Sequence, residues 1–165
     1  MNRELAANAT LSHYRIVSKI GEGGMGEVYL AEDTKLDRKV AIKFLNEQFS
    51  KDEEKLNRFV REAKAASALN HPNILTVYEI GEVDGQNYIA TELIDGTTLR
   101  EPLRKGPLPL NTILKIGVQV SEALSAAHQA GIIHQSCRLI AKIRRECSRL
   151  YWALQECFQG RVVLL

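Results

Sequence analysis

Cysteine, long apolar runs and net charge are all scarce in this sequence. Its three cysteines recur every ten residues from Cys137, a spacing that suits neither a disulfide framework nor a zinc site. The longest apolar segment, residues 113–133, is interrupted by Lys115 and Glu122, so no membrane-spanning helix is expected. A net charge of +2 gives no reason to expect nucleic acid as a partner. We therefore expect a cytoplasmic protein without a membrane span.

The amino-terminal segment lacks the apolar centre of a secretory signal peptide, and it carries Arg3 and Glu4. The sequence also has no internal repeats and no low-complexity segments. Its overall composition is ordinary for a globular unit, with 45% hydrophobic and 25% charged residues in a chain of 165. A chain of this length and composition can bury a core, which argues against disorder.

Charge is distributed unevenly along the chain. Residues 1–135 hold 16 lysines and arginines against 18 acidic residues, whereas residues 136–165 hold 6 against 2. All three cysteines and the only tryptophan, Trp152, also lie in this carboxyl-terminal tail. The composition therefore changes near residue 135.

A glycine-rich run is the most informative feature that is present. The run GEGGMG at residues 21–26 lies between strand-like segments, and Lys43 ends the later strand-like run VAIK. This combination predicts a loop folded over nucleotide phosphates, with a cation from the neighbouring strand. A dinucleotide-binding fingerprint would need a helix after the loop, and a P-loop would need Gly-Lys followed by Ser or Thr. Both of these alternatives are therefore excluded.

Hydrophobic periodicity predicts the other elements. Two-residue alternation predicts five strands, over residues 13–19, 27–32, 39–45, 74–82 and 86–93. A turn at Asp84-Gly85 joins the last two. Spacings of three and four residues predict two helices, over 51–69 with Ser50 as N-cap and over 110–130 with Gly131 at its end.

These motifs, in this order, resemble a eukaryotic-like serine/threonine protein kinase of the kind also common in bacteria. The resemblance rests on the glycine run, on Lys43, on Glu62 of the first helix and on Ile-Ile-His at residues 132–134. It implies an α+β fold: a kinase-like amino-terminal lobe, with an antiparallel sheet and one helix, over residues 14–93. The first helices of an incomplete carboxyl-terminal lobe follow over residues 94–134, and residues 1–13 form an amino-terminal extension.

The resemblance also implies an ATP site and a protein substrate. Lys43 would hold the α- and β-phosphates and Glu62 would pair with it, a role that suits its place beside the apolar stripe of its helix. Glycines would let the backbone approach the phosphates: Gly21, Gly23, Gly24 and Gly26. The adenine and ribose would meet Ile20, Val28, Ala41, Thr91, Glu92, Leu93, Ile94 and Asp95.

The resemblance fails after His134. The family expects His-Arg-Asp, with an asparagine five residues after the aspartate, but Ser136 stands at the aspartate position and Ala141 at the asparagine position. No Asp-Phe-Gly follows. The Mg²⁺ that the family uses therefore lacks its protein ligands here, and no catalytic residue is intact. We expect appreciable kinase activity to be absent.

The tail, residues 135–165, does not match the family. Its apolar residues have helical spacing, which predicts a helix and leaves open a basic amphipathic helix for a partner or a membrane surface. Because the mismatch begins where the composition changes, a frameshifted gene is a further hypothesis. Three functions then stay open. The chain is a kinase-type ATP-binding domain that is impaired in catalysis, or it is a non-catalytic module that binds a nucleotide or a partner. If the gene is frameshifted, the product has no function.

Overall fold

The computed structural model describes residues 9–23, 26–132, 142–143 and 150–151. Ser136 and Ala141 lie outside the described residues. The chain forms two compact units. The first comprises Met1–Ala63 and Val77–Leu93, and the second comprises Lys64–Thr76 and Ile94–Leu165.

The first unit is built on a six-stranded antiparallel sheet. Its strands are β1 (Thr10–Leu11), β2 (Tyr14–Gly23), β3 (Gly26–Asp33), β4 (Arg38–Leu45), β5 (Val77–Val83) and β6 (Gln86–Glu92). They lie in the order β1-β2-β3-β4-β6-β5. The five predicted strands are confirmed in type and order, although β2 continues into the glycine run. The short strand β1 has no sequence signal long enough to predict it.

Two tight turns fix the register of this sheet. The predicted turn between β5 and β6 is confirmed, and both of its central residues, Asp84 and Gly85, have positive φ angles of 49° and 76°. Such φ pairs are typical of the type I′ turn, which matches the twist of antiparallel strands. Between β3 and β4, the Oδ1 atom of the buried Asp33 accepts hydrogen bonds from the backbone N–H groups of Lys35 and Leu36 at 3.1 and 3.2 Å.

One face of the sheet carries an aromatic and aliphatic core. Tyr29, Ile42 and Phe44 are at most 2% exposed, and the rings of Tyr29 and Phe44 meet edge to face with centroids 5.7 Å apart. At the rim of this core, the hydroxyls of Tyr14 and Tyr88 both donate to the Glu79 carboxylate, at 2.9 and 2.7 Å. Burial and this carboxylate raise the pKa of Tyr88 to about 12 and also raise the pKa of Tyr14. Both phenols therefore stay protonated donors at neutral pH.

The predicted single helix over residues 51–69 is wrong at its amino-terminal end. The structure has two helices, α1 (Glu47–Lys51) and α2 (Glu53–Ser67), with Asp52 extended between them. Ser50 lies inside α1 instead of capping a helix. The Asn46 side chain accepts from the N–H of Phe49 at 2.8 Å to begin α1, and the Asp52 side chain accepts from the N–H of Lys55 at 3.0 Å to begin α2. Asparagine and aspartate are preferred at the N-cap position about as strongly as serine, so Asn46 and Asp52 serve as the caps here and Ser50 does not.

The second unit contains the helices α3 (Arg100–Arg104) and α4 (Leu110–Gln129). The prediction for α4 is confirmed, and Gly131 follows its end with a φ of 75° and an N–H that donates to the His128 carbonyl at 2.9 Å. Only the carboxyl-terminal part of its apolar stripe is buried: Ala123 and Ala127 pack with Ile74. The predicted core position Ile113 is 49% exposed.

The described part of the tail corrects the helix prediction there. Lys142–Ile143 and Leu150–Tyr151 form the short strands β8 and β9, and β9 pairs in parallel with β7 (Thr97–Thr98). Helical spacing expresses a local preference, which pairing with a distant strand can override. The rest of the predicted tail helix lies outside the described residues. Within the described residues, no helix is long and apolar enough to cross a membrane.

Candidate functional site

The register of the sheet gathers four of the predicted site residues on one face. Val28 pairs with Lys43, and Ala41 pairs with Thr91. Residues that pair across antiparallel strands share a face, as do residues two apart along one strand. Val28, Ala41, Lys43 and Thr91 therefore project from the same side of the sheet, opposite the side that carries Tyr29 and the aromatic core.

The glycine hairpin, which we define as residues 19–29, borders this face. Its arms approach closely, since Gly23 pairs with Gly26, while Gly24 lies outside the described residues. Two of its glycines differ in what surrounds them. A Cβ on Gly26 would lie 1.7 Å from the Phe44 carbonyl oxygen, and its φ is 142°. A Cβ on Gly21 would only touch Val28, at 3.8 Å. The fold of the polypeptide therefore requires glycine at position 26 and does not require it at position 21.

A β-bulge lies at the entrance to the hairpin. Lys19 pairs with Tyr29 and Gly21 pairs with Val28, so Ile20 is an extra residue on β2. Ile20 is 49% exposed. The predicted site residue thus leaves apolar surface exposed at the entrance to the hairpin.

Lys43 and Glu62, the predicted ion pair, both belong to the first unit and both are partly buried. Glu62 precedes the buried Ala63 on α2, which agrees with the expected facing of the helix. Among the ion pairs found between described residues, none contains Glu62. The pairing of Lys43 with Glu62 therefore stays a prediction.

The end of β6 and the residues that follow it carry the remaining predicted site residues. Thr91 is 7% exposed, and its hydroxyl lies 3.4 Å from the Ala41 carbonyl oxygen and 3.3 Å from that of Glu92. These contacts fix the Thr91 side chain at the end of the face described above. Leu93 is the last residue of the first unit, while Ile94 and the exposed Asp95 begin the second.

The sequence did not predict a charged cluster that lies on the face of the hairpin opposite Val28 and Lys43. We call Lys19, Glu22, Glu27 and Tyr29 the hairpin clamp. The Lys19 ammonium donates at 2.7 Å to both glutamates, and the Tyr29 hydroxyl donates to Glu27 at 2.8 Å. These bonds, chiefly the one from Lys19, lower the pKa of Glu27. Alternation along β2 alone could not reveal the cluster, because the bulge at Ile20 shifts the faces.

The described residues contain no group of three or more His, Cys, Asp or Glu that could hold a metal ion. Mg²⁺ at nucleotide sites is usually held by one or two protein oxygen donors together with phosphates and waters. The position at which the resemblance expects such a donor, Ala141, lies outside the described residues, and an alanine side chain has no oxygen atom to offer.

Comparison with known proteins agrees with these observations. The family model for the protein kinase domain matches residues 14–137. The chain is 46% identical over 126 residues to the serine/threonine-protein kinase PrkC of Bacillus subtilis, an alignment that spans 76% of this chain and 19% of PrkC. It is 38% identical over 138 residues to the serine/threonine-protein kinase PknJ of Mycobacterium tuberculosis, across 84% of this chain and 23% of PknJ. The chain thus spans about a fifth of the length of these curated relatives.

A solved structure shows the same fold. The crystal structure of the Mycobacterium tuberculosis PknI kinase domain superposes with a TM-score of 0.78 at 33% identity, covering 89% of this chain and 60% of that domain. The predicted fold, an antiparallel kinase-like sheet with its helix followed by the first helices of a second lobe, is confirmed.

Proposed function

The chain belongs to the protein kinase family, and on this premise we propose that its first unit binds ATP without transferring the γ-phosphoryl group at ordinary kinase rates. The observation that carries the proposal is the shared face of Val28, Ala41, Lys43 and Thr91. A cation, two small or branched apolar side chains and a buried hydroxyl on one face suit a ligand that is aromatic at one end and anionic at the other.

The adenine end of the ligand would contact the apolar part of this face. Val28 and Ile20 would cover the base, and the small side chain of Ala41 leaves room for it. Thr91 would lie behind the base, because its hydroxyl is held by the backbone. The backbone of Glu92, beside Leu93, would form a hydrogen bond with adenine. Ile94 and Asp95, to which the resemblance assigns further contacts with adenine and ribose, belong to the second unit.

The phosphates would lie under the glycine hairpin beside Lys43. The contrast between the two glycines supports this arrangement: Gly26 is required by the Phe44 backbone, whereas nothing in the polypeptide crowds Gly21. A bound phosphate group that approaches the backbone closely gives Gly21 a reason to lack a side chain. Gly23 and Gly24 would serve the same approach, and Lys43 would contribute charge-assisted hydrogen bonds.

Phosphoryl transfer depends on positioning the acceptor and on metal ions that neutralise developing charge. Ser136 and Ala141 cannot replace the carboxylate and carboxamide that the family uses for these tasks, and the sequence contains no Asp-Phe-Gly. In intact members of the family, the group that accepts the phosphoryl group is a protein serine or threonine. Because the proposed ligand is ATP, we place this chain in the cytoplasm.

Equilibrium dialysis with labelled ATP tests the binding proposal. Lys43→Met is expected to weaken ATP binding at least about tenfold, because charged hydrogen bonds to phosphate are lost. Lys39→Met is the matched control, since Lys39 is an exposed lysine of the same strand near its other end. Unchanged affinity in Lys43→Met would refute the assigned site.

A phosphotransfer assay with Mg²⁺ and a generic protein acceptor tests the second half of the proposal, and we expect no turnover. Turnover at ordinary kinase rates would overturn our interpretation of Ser136. The frameshift hypothesis is supported by the family match, which ends at residue 137, close to the change in composition. Sequencing of the coding DNA tests it, because another reading frame should then encode an intact catalytic loop.

A further inference from the structure

The hairpin clamp is a cluster that the proposed nucleotide site does not use. A single ammonium, Lys19 Nζ, lies 2.7 Å from Glu22 Oε2 and 2.7 Å from Glu27 Oε1. Glu22 lies between the first two glycines of the run, and Glu27 directly follows Gly26. Lys19 therefore connects the two arms of the hairpin at the point where they enter the loop.

The bulge at Ile20 makes this arrangement possible. In a regular strand, residues 19 and 22 would face opposite sides because their separation is odd. The extra residue reverses this parity, so Glu22 shares the face of Lys19 and pairs with Glu27. The two carboxylates consequently lie on the side of the hairpin away from Val28 and Lys43, where they do not meet the phosphates.

Without the ammonium, the hairpin would carry two like charges directly opposite each other. Glu22 and Glu27 are register partners, and like charges in such positions destabilise strand pairing. Gly23 and Gly26, which pair next to them, contribute no side-chain packing that could offset this repulsion. The Tyr29 hydroxyl, which donates to Glu27 at 2.8 Å, ties the clamp to the buried core.

We propose that Lys19 is a positioning residue that holds the glycine hairpin in the shape that receives a nucleoside triphosphate, by joining Glu22 to Glu27 on the opposite face. The inference rests on the proposed ATP site and deepens it. It assigns to Lys19 an effect on the phosphate end of the ligand alone, because the clamp touches neither Ala41 nor Thr91. Arginine at position 19 can make the same two ion pairs, whereas methionine cannot.

Equilibrium dialysis with labelled ATP and labelled adenosine tests the clamp. Lys19→Met is expected to weaken ATP binding about three- to tenfold and adenosine binding less than twofold, while Lys19→Arg stays within twofold of the wild-type chain for both. Glu22→Gln, at a largely exposed side chain, is expected to weaken ATP binding in the same direction by a smaller factor. Lys39→Met controls for the loss of one positive charge from the sheet.

The outcomes separate the two proposals. If the wild-type chain binds neither ligand, the proposed function and the clamp both fail. If the wild-type chain binds ATP and Lys19→Met binds it equally well, the clamp fails and the ATP site stands. An equal loss of ATP and adenosine, or an equal loss in Lys39→Met, would also refute the clamp, because it would reveal a general effect on folding or charge.

Discussion

The sheet of the first unit and helix α4 of the second differ in how they bury apolar side chains. In the sheet, Ile42 is fully buried in a cluster to which four strands contribute aromatic residues: Tyr14, Tyr29, Phe44 and Tyr88. Along the first half of α4, Leu110, Leu114 and Val118 are each at least 58% exposed. The described residues therefore complete the core of the sheet but leave this face of α4 uncovered. Among the described residues, the buried apolar surface that stabilises the fold is therefore concentrated in the sheet.

The largest expected effect comes from making the same substitution in both regions. Ile42→Ala removes buried methyl groups and leaves a cavity, so it should lower the free energy of unfolding by about 2–5 kcal/mol. Ile113→Ala, at a half-exposed helical position, should change it by less than about 0.5 kcal/mol. Denaturant unfolding followed by circular dichroism measures both. Equal effects would show that the two regions are not buried differently in solution.

The second expected effect concerns the two glycines of the hairpin. Gly26→Ala should destabilise the chain by about 2–4 kcal/mol, because its Cβ would collide with the Phe44 carbonyl and its φ of 142° disfavours a side chain. Gly21→Ala should cost less than about 1 kcal/mol and should instead weaken ATP binding. The free energy of unfolding and the affinity for ATP, measured on both variants, would show which glycine the fold requires and which one ATP binding requires. Similar losses of stability in both would contradict the contrast.

The smallest expected effect is a dependence of stability on acid. Burial of the Asp33 carboxylate opposes ionisation, but hydrogen bonds from Leu36, Arg38 and Lys35 outweigh it and hold the pKa below its ordinary value of 3.8. A carboxylate whose pKa is lowered by folding stabilises the fold above its unfolded pKa. That contribution should fade as pH falls from about 4 through the folded value.

Asp33→Asn is the variant that checks this. Its unfolding midpoint should fall more slowly than that of the wild-type chain below pH 4, and it should be less stable at pH 7. The matched control is Asp37→Asn, at an exposed position in the same turn. Parallel acid profiles for the wild-type chain and Asp33→Asn would show that the turn does not depend on this charge.

Much of the first unit could be predicted from the sequence, because its signals are local. The alternation of β3 and β4, the Asp84-Gly85 turn and the periodicity of α4 each act over a few residues. The break between α1 and α2 was missed because Asn46 and Asp52 both act as caps inside a continuous helical pattern. Strand β9 was missed because its partner β7 is distant in sequence, and the two-residue strand β8, which pairs with β9, is too short to leave a periodic signal.

The candidate site likewise contains residues that could be predicted from the sequence and residues that could not. Lys43 and the glycine run were recognisable from spacing, and the register of the sheet then placed Val28, Ala41 and Thr91 on the face of Lys43. The hairpin clamp was not predictable from alternation, because a single extra residue reverses which side chains share a face. Whether Glu62 pairs with Lys43 depends on how α2 packs, which its periodicity does not specify.

The bulge at Ile20 also separates two tasks within one short segment. Deleting Ile20 would leave Lys19 and Glu22 two positions apart in a regular strand, so they would still share a face and both ion pairs of Lys19 could still form. The deletion would instead remove the half-exposed apolar side chain that the proposed site uses to cover the base. The extra residue therefore adds ligand-contacting surface to the hairpin without disturbing the charges that hold its arms together, so a shorter segment should lose affinity for the base before it loses its shape.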